Sequence, residues 1–220
     1  MTTRFSLLVV LVSMLTLSAQ AQVSVGASLG ANYSFWDWHI KNLNTDVSFR
    51  SGFGYRAAVV GDWQISSAIG LRADLAYQVW SNDTITPKYY FPSNPNGMEG
   101  VRSEWFHNFA GSLLLQVSPF SKKRVYFLVG TTAAYITEVR ENLMIDGFGT
   151  FGTQSIDLAN YNRTQVFADF GGGVKFPLGA KGSLFGELRY QLPLTNLSAI
   201  DNVDASVSSL LLNVGYLFHL

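Results

Sequence analysis

Apolar and polar residues alternate along eight segments of this sequence, and this pattern constrains the fold more than any other feature. In segment 71–79 every odd-numbered residue is apolar, whereas Arg72, Asp74 and Gln78 carry polar groups. A period of two is typical of a β-strand with one apolar face, because successive side chains point to opposite sides. The pattern therefore predicts an all-β fold of eight antiparallel strands, at 23–35, 53–65, 71–79, 104–117, 125–137, 165–176, 184–192 and 209–220.

The composition indicates that these strands cross a membrane. Charged residues make up 14% of the chain, whereas about 25% of the residues in a typical soluble domain are charged. Beyond the N-terminal segment, no apolar run reaches the length of a membrane helix. Only helices and closed barrels can span hydrocarbon, because it offers backbone amides no water to bond. Residues 22–220 are therefore predicted to form one eight-stranded antiparallel up-and-down transmembrane β-barrel.

The N-terminal segment is typical of an export signal. Arg4 precedes an apolar run over 5–17, and Ala19-Gln20-Ala21 then provides the small residues that signal peptidase reads. The apolar run is shorter than the about 20 residues that a spanning helix needs. We therefore predict a cleaved signal peptide over 1–21 and a destination in the bacterial outer membrane.

The polar faces of the predicted strands carry opposite charges, which we expect to point into the barrel. We expect these charges to compensate one another within single strands, as the pairs Arg56 and Asp62, Arg72 and Asp74, Glu187 and Arg189, and Asp169 and Lys175. The apolar faces carry no charge at their centres, where one Arg or Lys would cost about 2–4 kcal/mol. In the fifth segment, which is almost wholly apolar, we assign four residues to the lipid side: Val125, Phe127, Val129 and Tyr135.

The charged lumen allows more than one function. Side chains fill the interior of an eight-stranded barrel, which predicts a structural plug. The alternatives are a narrow channel for small polar solutes and a soluble periplasmic lipocalin-like binder, in which the two faces would be inverted. In the channel alternative, the constriction would consist of Arg72, Asp74, Glu187 and Arg189.

The connections between the predicted strands alternate between short and long. Short periplasmic turns and long outer loops are expected of such barrels, and the long connections cover 37–50, 81–103, 139–162 and 195–206. Exposed aromatic residues in two of them suggest a contact surface for lipopolysaccharide or an envelope protein partner. This predicted surface consists of Tyr89, Tyr90, Phe91, Phe148 and Phe151.

Several runs carry a family resemblance: GYR at 54–56, LRADLAY at 71–77, DFGGGV at 169–174, ELRYQLPLTNL at 187–197 and VGYLF at 214–218. With these motifs the chain resembles the PorT-like outer-membrane β-barrel proteins. The resemblance implies the barrel fold, and it implies that barrel-assembly machinery recognises the closing strand. We assign that assembly signal to Tyr216, Phe218 and Leu220.

Residues for catalysis are few. The chain has no cysteine, and its three histidines are too widely spaced to predict a metal site. A lipid-modifying enzyme would have to draw on Asp37 and His39 with Ser81 or Ser103. We predict no enzyme activity and no cofactor, and the balance of 15 basic and 15 acidic residues argues against a nucleic-acid partner.

Overall fold

The computed structural model describes residues 22–40, 49–91, 94–119, 124–145, 149–179 and 181–220. The predicted signal peptide, 1–21, lies outside these residues. The strands are β1 (Gln22–Ile40), β2 (Phe49–Gln64), β3 (Ile69–Phe91), β4 (Asn94–Val117), β5 (Val125–Ile145), β6 (Gly149–Ser155), β7 (Thr164–Pro177), β8 (Gly182–Pro193) and β9 (Val203–His219). The part of the chain so described contains one short 3-10 helix, Leu158–Asn160, and no helix long and apolar enough to cross a bilayer.

Eight of the strands close into a ring. Each pairs antiparallel with its neighbours in the order β1-β2-β3-β4-β5-β7-β8-β9, and β9 pairs with β1. The short strand β6 lies outside the ring and pairs with the end of β5. The predicted eight-stranded antiparallel barrel is therefore confirmed, and β6 is an addition that the alternation did not predict.

The strands are strongly staggered around the ring. Following the paired residues once around from Ile136 on β5 leads back to the same strand at Tyr126, ten residues away. Such a stagger tilts the strands and sets the width of the barrel. With eight strands the interior is just wide enough to be filled by side chains.

The two ends of the barrel differ. Ser24 near the start of β1 pairs with His219 at the end of β9, and the short connections after β2, β4 and β7 lie at this same end. The longer connections lie at the other end. Because short turns are periplasmic and long loops are external in such barrels, we call these the periplasmic end and the outer end.

Strands near the outer end are longer than the alternation predicts. The segment 81–103, predicted as a connection, is mostly a hairpin in which β3 continues to Phe91 and β4 starts at Asn94. Likewise, β5 continues to Ile145. The backbone ladder continues above the apolar band, where no lipid imposes an apolar face. The hydropathy pattern therefore stops before the strand does.

The side chains point in the predicted directions. On the outer surface of the barrel Leu29, Phe53 and Leu75 are each more than 70% exposed, whereas Arg72 on the inner face is fully buried. The assignment for β5 is confirmed, because Phe127 and Val129 face outward. This orientation contradicts the lipocalin-like alternative, in which apolar residues would line the centre.

Candidate functional site

The half of the lumen nearer the periplasmic end, which we call the lower lumen, contains a chain of ion pairs. This chain begins with residues of β2 and β3. Arg72 lies opposite Asp62 in the register of these strands, and its Nη2 is 2.8 Å from Asp62 Oδ2. Lys175 on β7 places its Nζ 2.8 Å from the same oxygen. Arg72 also contacts Glu187 on β8. Since β7 and β8 lie on the far side of the ring, these pairs cross the lumen.

A second group of charges lies nearer the middle of the barrel. Asp74 Oδ2 accepts hydrogen bonds from Arg56 Nη2 at 3.1 Å and from Arg189 Nη2 at 2.7 Å. Arg189 Nε lies 3.9 Å from Glu187 Oε2, which links the two groups. We call these seven side chains, together with Asp169, the lumen charge network. They are Arg56, Asp62, Arg72, Asp74, Asp169, Lys175, Glu187 and Arg189.

The partners differ from those expected within single strands. Arg56 pairs with Asp74 rather than Asp62, and Arg72 pairs with Asp62 rather than Asp74. Asp169 does not pair with Lys175 and instead accepts hydrogen bonds from other side chains. Arg56 and Asp62, like Asp169 and Lys175, are six residues apart on one strand and therefore roughly 20 Å apart, whereas Asp62 and Arg72 lie directly opposite each other on neighbouring strands, where such residues are about 5 Å apart. Within the lumen charge network, Glu187 and Arg189 are the only ion pair on one strand, and the other pairs join side chains of neighbouring or facing strands.

Neutral groups complete the network. Thr132 Oγ1 donates to Asp169 Oδ2 at 2.6 Å, and Gln191 Nε2 donates to Asp169 Oδ1 at 2.9 Å. Tyr126 donates to Glu187 Oε1 at 2.7 Å. The Arg72 guanidinium carbon also lies 4.7 Å from the centre of the Phe185 ring, which is a cation–π distance. The four cations thus pair with Asp62, Asp74 and Glu187, and the fourth carboxylate, Asp169, is held by neutral hydrogen-bond donors.

An aromatic layer lies above the network, towards the outer end. Trp80, Phe106 and Phe167 are completely buried inside the barrel. The Trp80 and Phe167 rings are 5.4 Å apart, and the Trp36 and Phe106 rings are 4.8 Å apart. Trp36 is fixed by a 2.8 Å hydrogen bond from its Nε1 to the carbonyl of Ser81. We call Trp36, Trp80, Phe106 and Phe167 the aromatic plug.

The sequence analysis missed the aromatic plug, although a signal for it exists. Trp80 follows Gln78 by two residues, Phe106 precedes Asn108 by two, and Phe167 precedes Asp169 by two. Each large ring is therefore in phase with an inward-facing polar residue. Hydropathy favours the lipid side for such rings, but the period of the strand places them in the lumen.

The run LTNL at 194–197 folds the β8–β9 connection over the outer end. Asn196 Oδ1 accepts hydrogen bonds from the backbone amides of Ser198 and Ala205, both at 2.9 Å. Leu197 is completely buried and belongs to the same apolar cluster as Phe106. Asn162 donates to the carbonyls of Asn196 and Ser198, at 2.9 and 2.7 Å, and so joins two connections.

The remaining predicted site residues lie at the two ends of the barrel. Tyr89, Tyr90 and Phe91 lie in β3 and Phe151 in β6, but their side chains, like all of Phe148, lie outside the described residues. Near the periplasmic end, the Tyr216 and Phe218 rings pack 4.6 Å apart. Leu220 is exposed, and its backbone amide donates to the carbonyl of Val23 at 3.0 Å.

The candidate catalytic serines are engaged elsewhere. Ser81 Oγ donates to the carbonyl of Phe53 at 2.6 Å, and Ser103 Oγ donates to Asp83 Oδ1 at 2.6 Å. His107 on the outward side of β4 contacts the Tyr77 hydroxyl through Nδ1, at 2.5 Å. Among the residues that the structure describes, no three His, Cys, Asp or Glu side chains are grouped to hold a metal ion.

Several solved structures are similar to this chain at low sequence identity. No curated protein matches this chain. Neisserial surface protein A is 16% identical, with a TM-score of 0.45 over 91% of this chain and 99% of that one. A major outer membrane protein from Thermus thermophilus is 14% identical, with a TM-score of 0.45 over 89% and 99%. The outer membrane protease OmpT from Escherichia coli is 8% identical, with a TM-score of 0.43 over 90% and 97%.

The family comparison covers nearly the whole sequence. The model of the outer membrane protein beta-barrel domain matches residues 7–218. This range includes all eight strands of the ring. The chain therefore belongs to the outer membrane protein beta-barrel domain family, whose place is the bacterial outer membrane.

Proposed function

We propose that this protein is a closed, non-enzymatic barrel that does not conduct ions and acts at the cell surface through its outer connections. The filled lumen is the observation that carries the proposal. Ion pairs between facing strands brace the lower lumen, and the aromatic plug occupies the upper lumen. Arg72, Trp80, Phe106 and Phe167 are all 0% exposed.

Two different barriers support the closed state. A solute would have to separate Arg189 from Asp74, and breaking one partner out of a buried pair costs about 3–5 kcal/mol. It would then have to cross the aromatic plug, which offers an ion little compensation for its lost water. Each barrier blocks passage independently of the other, so the lumen is closed at two levels.

Planar-bilayer recording of the purified, folded protein tests the closed state. We expect no single-channel steps from the natural sequence. The variant Arg72→Ala with Trp80→Ala removes one large side chain from each barrier, and we expect it to give brief openings. Leu29→Ala with Leu75→Ala, on the lipid side, is the matched control and should stay silent. Regular steps from the natural sequence would refute the proposal and favour the narrow channel.

The surface role is proposed from the position of the long connections. All of them lie at the outer end, where β3, β4, β5 and β6 continue as a sheet beyond the start of β7. We propose lipopolysaccharide or an envelope protein as the partner, with the contact surface on the predicted residues Tyr89, Tyr90, Phe91, Phe148 and Phe151. Cells carrying the protein without the tips 88–97 and 146–151 should lose this binding. Unchanged binding after both deletions would rule the surface out.

We also propose that the chain is PorT-like within its family and that Tyr216, Phe218 and Leu220 form its assembly signal. The LTNL run supports the first statement, because its Asn and Leu organise the outer end. The exposure of Phe218 and Leu220 supports the second, since assembly machinery could reach them. Phe218→Ala should lower the yield of folded barrel in cells, measured by heat-modifiable gel migration. Refolding in detergent should be unaffected, because no machinery takes part there.

The export signal over 1–21 is tested separately. Mass spectrometry of protein extracted from outer membranes should give a mature chain that starts at Gln22. A chain that keeps residues 1–21 would contradict the proposed cleavage.

A further inference from the structure

A cavity of about 310 Å³ opens at the outer end, beside the aromatic plug. Its lining includes Trp38 from β1, Arg102 and Glu104 from β4, Asn160 and Tyr161 from the connection before β7, and Ser198 from the connection before β9. Four separate segments thus meet around one space. The volume is in the lower part of the range for small-molecule sites. The rim residue Asn160 is exposed, so the cavity is open to the outside.

The charged groups of the cavity wall are held by ion pairs and hydrogen bonds. Arg102 Nη2 lies 2.8 Å from Glu104 Oε1, and Glu104 Oε2 accepts a hydrogen bond from Asn82 at 3.1 Å. Glu104 is 5% exposed, so its carboxylate is held in place rather than solvated. Arg102 Nη2 also lies 2.7 Å from Glu141 Oε2, and Glu141 is not among the residues that line the cavity. The buried Arg102 Nε has no hydrogen-bond partner among the described residues.

The aromatic and hydroxyl groups are also held in position. Tyr161 forms a bridge with Ser198, and its ring packs edge-on against Phe106 at 5.5 Å. Burial raises the pKa of Tyr161 to about 12, so its hydroxyl remains protonated at every physiological pH. The wall therefore combines two aromatic residues, a fixed guanidinium–carboxylate pair, an amide and a hydroxyl.

We propose that this cavity binds one unit of a neutral, hydroxyl-rich sugar. The inference rests on the proposed function in one respect, that the outer end faces the cell exterior. Glu104 in the wall disfavours an anion, and Arg102 disfavours a cation, so a neutral ligand is selected. A polyol can donate to Glu104 and accept from Arg102 at once. Its C–H face can pack against Trp38 or Tyr161, which bury a large area.

Saturation-transfer difference NMR on the folded protein tests the proposal. The protein is prepared in a detergent without a sugar headgroup, and methyl galactoside, methyl glucoside and N-acetylglucosamine are the probes. We expect saturable transfer to at least one probe. Sodium sulfate and choline chloride are the charged competitors, and neither should displace the sugar. Absence of transfer to every probe, or displacement by sulfate or choline, would overturn the proposal.

Matched variants locate the binding. Glu104→Gln removes the charged acceptor from the wall and should weaken affinity about tenfold. Glu141→Gln removes the other carboxylate that pairs with Arg102 but does not line the cavity, so its affinity should match that of the natural sequence. Equal weakening in both variants would mean that the charge of Arg102, rather than the cavity, is responsible, and would overturn the site. Unchanged heat-modifiable migration shows that each variant is folded.

A second experiment distinguishes the possible sources of the sugar. Delipidated oligosaccharide from lipopolysaccharide replaces the free probes, and competition shows whether it occupies the same cavity. If the oligosaccharide displaces the monosaccharide, the bacterium's own envelope is a source of the sugar. If it does not displace the monosaccharide, free sugars are the source. Either result is compatible with a neutral-sugar site in this cavity. Conductance is independent of this cavity. A barrel that binds no sugar yet stays silent in a bilayer would refute the sugar site and leave the closed barrel intact.

Discussion

Arg72 connects opposite walls of the barrel through a single side chain. It contacts Asp62 on the neighbouring strand and Glu187 on the facing strand, and it packs on Phe185. Because the residue is fully buried, water cannot replace either partner when the arginine is removed. Its position illustrates a general feature of narrow barrels, in which one long side chain can reach across the lumen.

Arg72→Met should destabilise the barrel strongly. The substitution keeps an unbranched chain but leaves Asp62 and Glu187 without their shared cation, and breaking a buried pair in this way costs about 3–5 kcal/mol. Urea unfolding from lipid vesicles, followed by tryptophan fluorescence, measures the loss. The control Arg140→Met removes an exposed arginine paired with Glu138 and should leave the unfolding midpoint unchanged. Equal midpoints for the two variants would refute the role of Arg72.

At the scale of residues, the sequence predicts which way a side chain points, but it does not predict which side chain it pairs with. The alternation places Asp74 and Arg189 on inward faces, and the structure finds both there. Their pairing could not be predicted, since it depends on which strands face each other and on the stagger of the ring. These are properties of the closed barrel, and no single strand contains them.

The close packing of β7 in the barrel depends on Gly173, which makes room for the ring of Tyr126 on β5. The run Gly171-Gly172-Gly173 lies in β7, and a Cβ added at Gly173 would come within 2.5 Å of the Gly186 carbonyl oxygen on β8 and within 2.6 Å of the Tyr126 hydroxyl oxygen. That hydroxyl is the group that donates to Glu187. The glycine therefore lets β7 accommodate a lumen side chain, rather than forming a phosphate-binding loop.

Gly173→Ala should destabilise the barrel by about 1–3 kcal/mol, the usual cost of overpacking. The added methyl would press against the Gly186 carbonyl oxygen on β8 and would displace Tyr126, which weakens the bond of Tyr126 to Glu187. The matched control is Gly186→Ala on β8, where an added Cβ meets nothing within 4 Å. Urea midpoints of the two variants give the comparison. Similar midpoints would contradict the prediction, because they would show that the barrel accommodates the added methyl without cost.

The β8–β9 connection should lose its order in Asn196→Ala. This change removes the acceptor of two backbone amides, those of Ser198 and Ala205. We expect faster cleavage of the connection by an added protease on intact cells, with the barrel itself unaffected. The control is Asn202→Gly, which keeps the left-handed backbone found at φ 68°. Identical cleavage rates in both variants would contradict the role of Asn196.

Element ends were predicted well only within the apolar band. The periplasmic start of β5 at Val125 and the end of β4 at Val117 match the predicted bounds. The outer ends of β7 and β8 also match within one residue, whereas those of β3, β4 and β5 do not, because backbone hydrogen bonds extend these strands beyond the region where lipid selects side chains. For the same reason β6, whose sequence GTFGTQS shows no sustained alternation, could not be found from periodicity.

At the scale of the whole molecule, one arrangement accounts for the charge balance, the stagger and the closed lumen. Eight strands leave an interior of side-chain width, and four cations with four carboxylates fill its lower half. The aromatic plug fills the upper half. The outer surface is left apolar, as lipid requires. The central claim is therefore the direction in which each face of the strands points.

Spin labelling along β3 tests that claim most directly. The chain has no cysteine, so single cysteines at each position from 71 to 80 can be labelled without background. In lipid vesicles, collision with oxygen should peak at 71, 73, 75 and 77, and should be low at the even positions that face the lumen and at the buried position 79. A profile with the opposite phase, or one without a period of two, would contradict the account.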